Sequence, residues 1–247
     1  MELVGFGMTG VGAGSLMTPF LITQIGIHPA MAVGTDLLFA SITKASAAAP
    51  HHTFGNVNWR IVMRLGAGSL PASIATIFIM SQFKTHGKPL DGVILPLLGV
   101  SLVATAAAVM FRKRILSAGG KVFELSEQVS NRFATLVGIV LGVMVTLTSV
   151  GAGAIGVAAL MLLYPKIRGA EIVGSDLAHA IPLVTVAGLG HLQLGNIDYR
   201  LLVGLLLGSV PGIYIGSSVS SRLPEVTMRR ILAGVLLFMG IACVVGG

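Results

Sequence analysis

Two stretches of this 247-residue chain, 140 positions apart, carry nearly the same text. Val33-Gly34-Thr35-Asp36-Leu37 returns as Val173-Gly174-Ser175-Asp176-Leu177. His51, Gly55, Asn56, Trp59 and Arg60 return as His191, Gly195, Asn196, Tyr199 and Arg200. Gly68-Ser69 and Pro71 return as Gly208-Ser209 and Pro211, and Val11-Gly12-Ala13-Gly14 matches Val150-Gly151-Ala152-Gly153 with one residue slipped in between. The chain is a duplicated unit, read as a first repeat at 1–111, a basic linker at 112–132 and a second repeat at 133–247. Duplication in a very apolar chain is the usual trace of a transporter built from two pseudo-symmetric halves, with the substrate path where they meet.

The chain is 54% hydrophobic and 10% charged, where soluble domains carry about 25% charge. Long apolar runs recur throughout, separated by short charged gaps. This predicts an all-α polytopic protein embedded in a lipid bilayer, with no soluble domain and with the cell inner membrane as its expected place. The net charge of +7 does not point to nucleic acid, because the cations flank apolar segments, and Arg112-Lys113-Arg114 has no interleaved aromatics. Cys243 is alone in an apolar segment, which excludes a disulfide framework or a cysteine metal site. Met1-Glu2 leads straight into a Gly-rich apolar run, so no cleavable signal peptide is expected.

Eight apolar segments are expected, at 3–25, 30–50, 59–81, 91–111, 133–164, 170–190, 199–220 and 229–246. If all eight cross, the loop cations divide eight to seven, which orients nothing. If segments 1 and 5 instead turn back at their Gly-rich centres, the division becomes twelve to three, in accord with the positive-inside rule. Three full crossings then remain in each half, and the halves become inverted repeats. Irregular backbone at membrane depth is tolerated only when it is buried in protein or faces water. The alternative is eight kinked crossings whose glycines only pack helices closely.

The two Gly-rich turns are the first chemical candidates. A broken membrane helix exposes free N–H groups at a helix start, which suits an anion. The groups expected to contact substrate are Thr9, Gly12, Ala13, Gly14 and Ser15 in the first turn, and Thr148, Ser149, Gly151, Ala152 and Gly153 in the second. Lys44 is the next candidate. It lies eight residues past Asp36 on one helix face, deep in an apolar segment where an ionisable residue is expensive. Its simplest use is to face an anionic substrate, and the structural alternative is an ion pair with Asp36 or Asp176. His179 is one turn from Asp176. A carboxylate with an imidazole inside a membrane suits proton relay, so Asp36, Asp176 and His179 are read as coupling or gating residues. The Gly-Asn turns with their flanking Trp59 or Tyr199 and Arg read as interfacial and structural. Nothing indicates a catalytic set, a metal site or a cofactor.

These residues resemble the TauE/SafE family of membrane permeases, also called sulfite exporters. The likeness rests on Gly10-Val11-Gly12-Ala13-Gly14-Ser15 with Pro19, on Ala32-Val33-Gly34-Thr35-Asp36-Leu37, on Gly55-Asn56-Val57-Asn58-Trp59-Arg60, and on the duplication itself. One glycine of the family's usual Gly-rich stretch is Ala13 here, and residues 1–8 give a shorter apolar lead-in than the family pattern. The resemblance implies export of small sulfur-containing anions such as sulfite, sulfoacetate or other C2 sulfonates. The expected function is therefore a secondary transporter, a proton-coupled exporter. A passive small-anion channel is the alternative, distinguished by a flux that ignores pH.

Overall fold

A computed structural model describes residues 14–53, 57–85, 91–111, 127–220 and 225–245. Hydrocarbon offers peptide groups no water, so each apolar run must close its own hydrogen bonds, and the helix does so within one segment. The described residues form nine helices and no strand: α1 (Gly14–Thr23), α2 (Pro29–Thr53), α3 (Trp59–Thr85), α4 (Asp91–Met110), α5 (Glu127–Thr148), α6 (Ala154–Leu163), α7 (Gly169–Gln193), α8 (Tyr199–Ser220) and α9 (Glu225–Val245). Within α3, α4, α5 and α7, four stretches are long and apolar enough to cross a membrane, and shorter apolar helices accompany them. The protein is an all-helical membrane protein.

The duplication reappears in the helix boundaries. α1, α2 and α3 begin at 14, 29 and 59, and α6, α7 and α8 begin at 154, 169 and 199. The positions matching α5 fall before residue 14, outside the described residues, and so do Thr9, Gly12 and Ala13 of the expected first turn.

Segment 5 differs from a single run. It is two helices, and the first starts at Glu127, inside the stretch expected as linker. They are separated at Ser149–Gly153, where Ser149 (φ 57°), Gly151 (φ 119°) and Gly153 (φ 133°) take left-handed backbone conformations. Glycine adopts these at no steric cost, and each reverses the helical path. α6 then folds back along α5. Gly156 faces Leu141, and Leu160 joins a cluster that Val137 packs against. Tyr164 donates its hydroxyl proton to Asn131 Oδ1 at 3.1 Å, so the chain leaves α6 at the end of the bundle where α5 began.

α2 and α7 form the centre and run antiparallel. Gly34 lies against His191 and Asn196, and Gly188 lies against Leu38. Both ends of this pair are closed by the same hydrogen bond made in opposite directions. The Asn58 N–H donates to Ser175 Oγ at 2.8 Å, and the Asp198 N–H donates to Thr35 Oγ1 at 3.0 Å. Asn58 and Asp198 also begin the next helices, because their side chains accept from the N–H groups of Ile61 and Leu201, as N-cap residues do. The Gly-Asn turn is seen in the second half, where Gly195 (φ 69°) lets the Asn196 N–H reach the His191 carbonyl at 2.9 Å. Gly55 and Asn56 lie outside the described residues.

Against this pair, α3 and α5 pack side by side and parallel. Gly138 meets the Leu65 backbone and Gly142 meets Ser69, while Thr146 donates to Ser73 at 2.7 Å. Small residues at such a seam let helix backbones approach closely in lipid. A cluster of Val33, Leu37, Ile94, Val145, Leu183, Val184 and Ala187, with Ala152 packed against it, joins α2, α4, α5 and α7 around the helix break.

Candidate functional site

The break between α5 and α6 sits against the central pair. Asp36 and Asp176 occupy matched positions two turns into α2 and α7, and both are buried. Thr18 of α1 donates to Asp36 Oδ2 at 2.6 Å. Ser149, held in its left-handed conformation, lies close enough to Asp36 for their side chains to interact, yet its hydroxyl makes no well-formed hydrogen bond. In the second half Asp176 Oδ1 lies directly over Gly156 of α6, where a Cβ would collide with it.

Lys44 brings these groups together. Two turns beyond Asp36 on α2, it reaches across to the break, and its Nζ donates to the Ala152 carbonyl at 3.2 Å. Its charge acts on Asp176 first and Asp36 second, and also on His179. His179 is buried on α7, with Nε2 2.8 Å from Ser69 Oγ of α3. Asp36 Oδ1, Asp176 Oδ1 and His179 Nδ1 are buried without a hydrogen-bond partner among the described residues. Buried polar atoms are ordinarily paired, so this concentration of unpaired ones marks the break as a place where further groups can bind.

α6 supplies the matching donors. Its start at Gly153 has no side-chain cap. The Gly156 N–H turns back to the Gly151 carbonyl at 3.3 Å, and the Val157 N–H to the Gly153 carbonyl at 2.8 Å. The N–H groups of a helix's first turn lack intrahelical acceptors and favour negative charge. Gly151, Ala152 and Gly153 thus lie at the centre of the molecule, beside Lys44. Thr148 has a local role instead: its hydroxyl donates to the Met144 carbonyl at 2.7 Å and accepts from the Val150 N–H at 3.2 Å. Thr43, on the same stripe as Lys44, bonds back to the Phe39 carbonyl at 2.9 Å. Gly14 and Ser15 open α1.

Several residues in this arrangement were not singled out by sequence reasoning. Thr18 and Gly156 stand at positions whose repeat partners are Ala158 and Leu16, so the duplication gave no signal for them. Ser69, Thr35, Ser175, Asn58 and Asp198 do have hydroxyl, amide or carboxyl partners in the other repeat, and that pairing was the available signal. His191, with Nε2 2.9 Å from the Thr146 carbonyl, ties α7 to the end of α5. Among the described residues no three or more His, Cys, Asp or Glu side chains are grouped to hold a metal ion.

Comparisons with known proteins agree with this architecture. The family model for the sulfite exporter TauE/SafE matches residues 3–243. The chain is 36% identical over 239 residues to "Probable membrane transporter protein YjnA" of Bacillus subtilis, covering 95% of this chain and 92% of that protein. It is 29% identical to "Probable membrane transporter protein YdhB" of the same organism, over 96% of this chain and 97% of that protein. It is 26% identical to "Probable membrane transporter protein MJ0441" of Methanocaldococcus jannaschii, over 97% of this chain and 92% of that protein. No solved structure matches the chain. With the family matched across nearly its whole length, the chain belongs to the TauE/SafE sulfite exporter family and is a membrane transporter, not an enzyme.

Proposed function

We propose that this transporter exports a small sulfur-containing anion, such as sulfite, sulfoacetate or another C2 sulfonate, across the cell inner membrane. The observation that carries the reading is the Lys44 contact with the Ala152 carbonyl at 3.2 Å. It sets a cation beside the uncapped start of α6, between the two central helices. The anion would lie at that helix start, held by main-chain N–H groups at Gly151–Gly153 and by Lys44.

The charges argue for coupling. Lys44 faces two carboxylates, so the cluster is net negative, it reaches neutrality when one of them is neutralised, and it has a spare positive charge only when both are. Anion entry is thereby tied to uptake of a proton or a cation. Asp176 with His179 is the pair fitted to take up and release a proton during the cycle. Asp36 gates the other side of the break.

The halves are read as inverted repeats that rock against each other to give alternating access. The antiparallel packing of α2 on α7 supports this, as do the reciprocal Thr35 and Ser175 bonds. The fold-back of α6 onto α5 is the re-entrant form that yields the twelve-to-three charge division. The stretch at 112–126, which precedes α5, then faces the cytoplasm. Ser126→Cys in a Cys243→Ala background should resist an impermeant thiol reagent in intact cells, and ready labelling overturns the orientation.

The substrate reading is tested on purified protein titrated with sulfite and sulfoacetate. A ligand that binds only the native state raises the melting temperature. Calorimetry with the stabilising anion should then show at least a tenfold loss of affinity in Lys44→Met. Undiminished affinity, or no shift with any small anion, overturns the reading.

A further inference from the structure

Asp36 is a buried carboxylate whose charge its surroundings leave short. It is 0% exposed. Oδ2 accepts from Thr18 at 2.6 Å, while Oδ1 has no hydrogen-bond partner. Lys44 spends one N–H on the Ala152 carbonyl, and its charge acts on Asp176 before Asp36. A carboxylate in a membrane interior that lacks full compensation is costly.

Apart from the Lys44 ammonium, whose charge reaches it from two turns along α2, the groups facing this carboxylate are oxygens from separate elements. Thr18 comes from α1. Ser149 comes from the break, and its buried Oγ likewise lacks a partner. A non-glycine residue at φ 57° is held there by its surroundings, and such conformations gather at functional sites. Ser149 also directly follows the last residue of α5, so the negative end of that helix dipole falls at the same place. Of the last carbonyls of α5, that of Val145 takes the Ser149 N–H at 2.8 Å, and that of Thr146 lies 2.9 Å from His191 Nε2. The break therefore has two poles. The start of α6 is positive and faces Lys44, and the end of α5 is negative and faces Asp36.

One carboxylate with hydroxyl oxygens, and no thiolate or imidazole in direct contact, is a hard donor set for a small cation of single charge. Discontinuous membrane helices use their C-terminal ends and unwound backbone for such ions. The matching place in the second half lacks this set, because Ala158 stands where Thr18 does. We propose that Asp36, Thr18 and Ser149 form a sodium-ion site at the end of α5, distinct from the anion's place at the start of α6. Use of that ion to drive transport rests on the function proposed above, whereas binding of the ion does not.

The test needs no anion. Purified protein is melted in sodium chloride, potassium chloride and choline chloride at equal ionic strength and fixed pH. Sodium should raise the melting temperature by about 4 °C or more over choline, with potassium giving less. Asp36→Asn and Ser149→Ala should each abolish the sodium-specific rise, and Ser149→Ala serves if the aspartate variant does not fold. Equal melting in sodium and choline overturns the site. So does an equal rise with potassium, or a sodium effect that survives in Ser149→Ala. Because the readout is ion binding alone, its failure leaves the anion-transport reading to be judged by its own titration.

Discussion

In the first half, Asp36 takes a hydroxyl proton from Thr18 on α1. In the second, Asp176 lies against the bare backbone of Gly156 on α6. The residues at the matching positions are exchanged: Leu16 stands where Gly156 does, and Ala158 where Thr18 does. The same holds on the central helices, where Phe39 matches His179 and Lys44 matches Val184. Where a residue holds backbone, the halves agree: Gly34 with Gly174, Thr35 with Ser175, Asn58 with Asp198. The frame is symmetric and the chemistry inside it is not. Among the described residues the asymmetric interior sets Lys44, His179 and two carboxylates in different surroundings; under the function proposed above, anion and coupling ion then need not compete for one place.

The largest effect should come from erasing that difference. Gly156→Leu gives α6 the residue that α1 carries at Leu16. Its Cβ would run into Oδ1 of Asp176, so the added side chain must displace a buried carboxylate. Overpacking combined with displacement of a buried charge should cost about 4 kcal/mol. Unfolding of the purified protein in detergent measures it, and wild-type stability would mean that Asp176 does not lie on α6.

Lys44→Met comes next. Sequence alone left two uses for Lys44, the substrate or an ion pair, and the geometry gives it internal partners in Ala152 and the two aspartates. Removing the cation leaves two buried carboxylates without their shared counter-charge, which should cost about 3 kcal/mol. Adding Asp176→Asn should return most of the loss, because the double change removes charge from both sides. If the single variant is as stable as wild type, charge balance does not hold the break together.

Much of this frame was legible in the chain. The repeat spacing of 140 residues reappears in the helix starts, and the Gly-rich run that suggested a turn in segment 5 is the place where α5 ends and α6 begins. These features are set by local chemistry: glycine supplies conformations that other residues resist, and apolar run length sets helix length. The interior was legible only in part. Asp36, Lys44, Asp176 and His179 stand out because ionisable residues are rare in apolar segments. Thr18, Ser69 and Gly156 do not, because serine, threonine and glycine are ordinary in membrane helices, and only packing decides which of them meets a carboxylate or an imidazole. The reciprocal clasp of Thr35 and Ser175 needed both halves assembled before either hydroxyl had a partner.

That clasp supplies a smaller test. Ser175→Ala leaves the Asn58 N–H without its acceptor, and Thr35→Val does the same for Asp198. Each should cost about 1 kcal/mol. The two sites are a helix length apart, so the double variant should lose about the sum. Unequal single effects would show which end of the central pair is held more firmly, and Asn58 already has a second bond, from Nδ2 to Glu171 at 2.9 Å. A double loss well above the sum would mean that the ends do not open independently.

The smallest expected effect is at Gly208 of α8, and its match on α3 supplies a large contrast. A Cβ on Gly68 of α3 would collide with the Thr135 carbonyl on α5, whereas Gly208, its match on α8, has nothing within 4 Å among the described residues. α5 lies along α3 at Gly68, and the stretch matching α5 falls outside the described residues. Gly→Ala in an open helix interior removes backbone freedom from the unfolded chain and improves helix propensity, a gain of up to about 1 kcal/mol. Gly208→Ala should therefore raise stability by about 0.5 kcal/mol, where Gly68→Ala should lower it by about 3 kcal/mol as the α3–α5 seam is forced apart. Thermal melts of the two variants in the same detergent make the comparison. A loss of about 2 kcal/mol or more at Gly208 would mean that a backbone lies against α8 as α5 lies against α3. The halves would then be symmetric in their outer helices as well as at their centre.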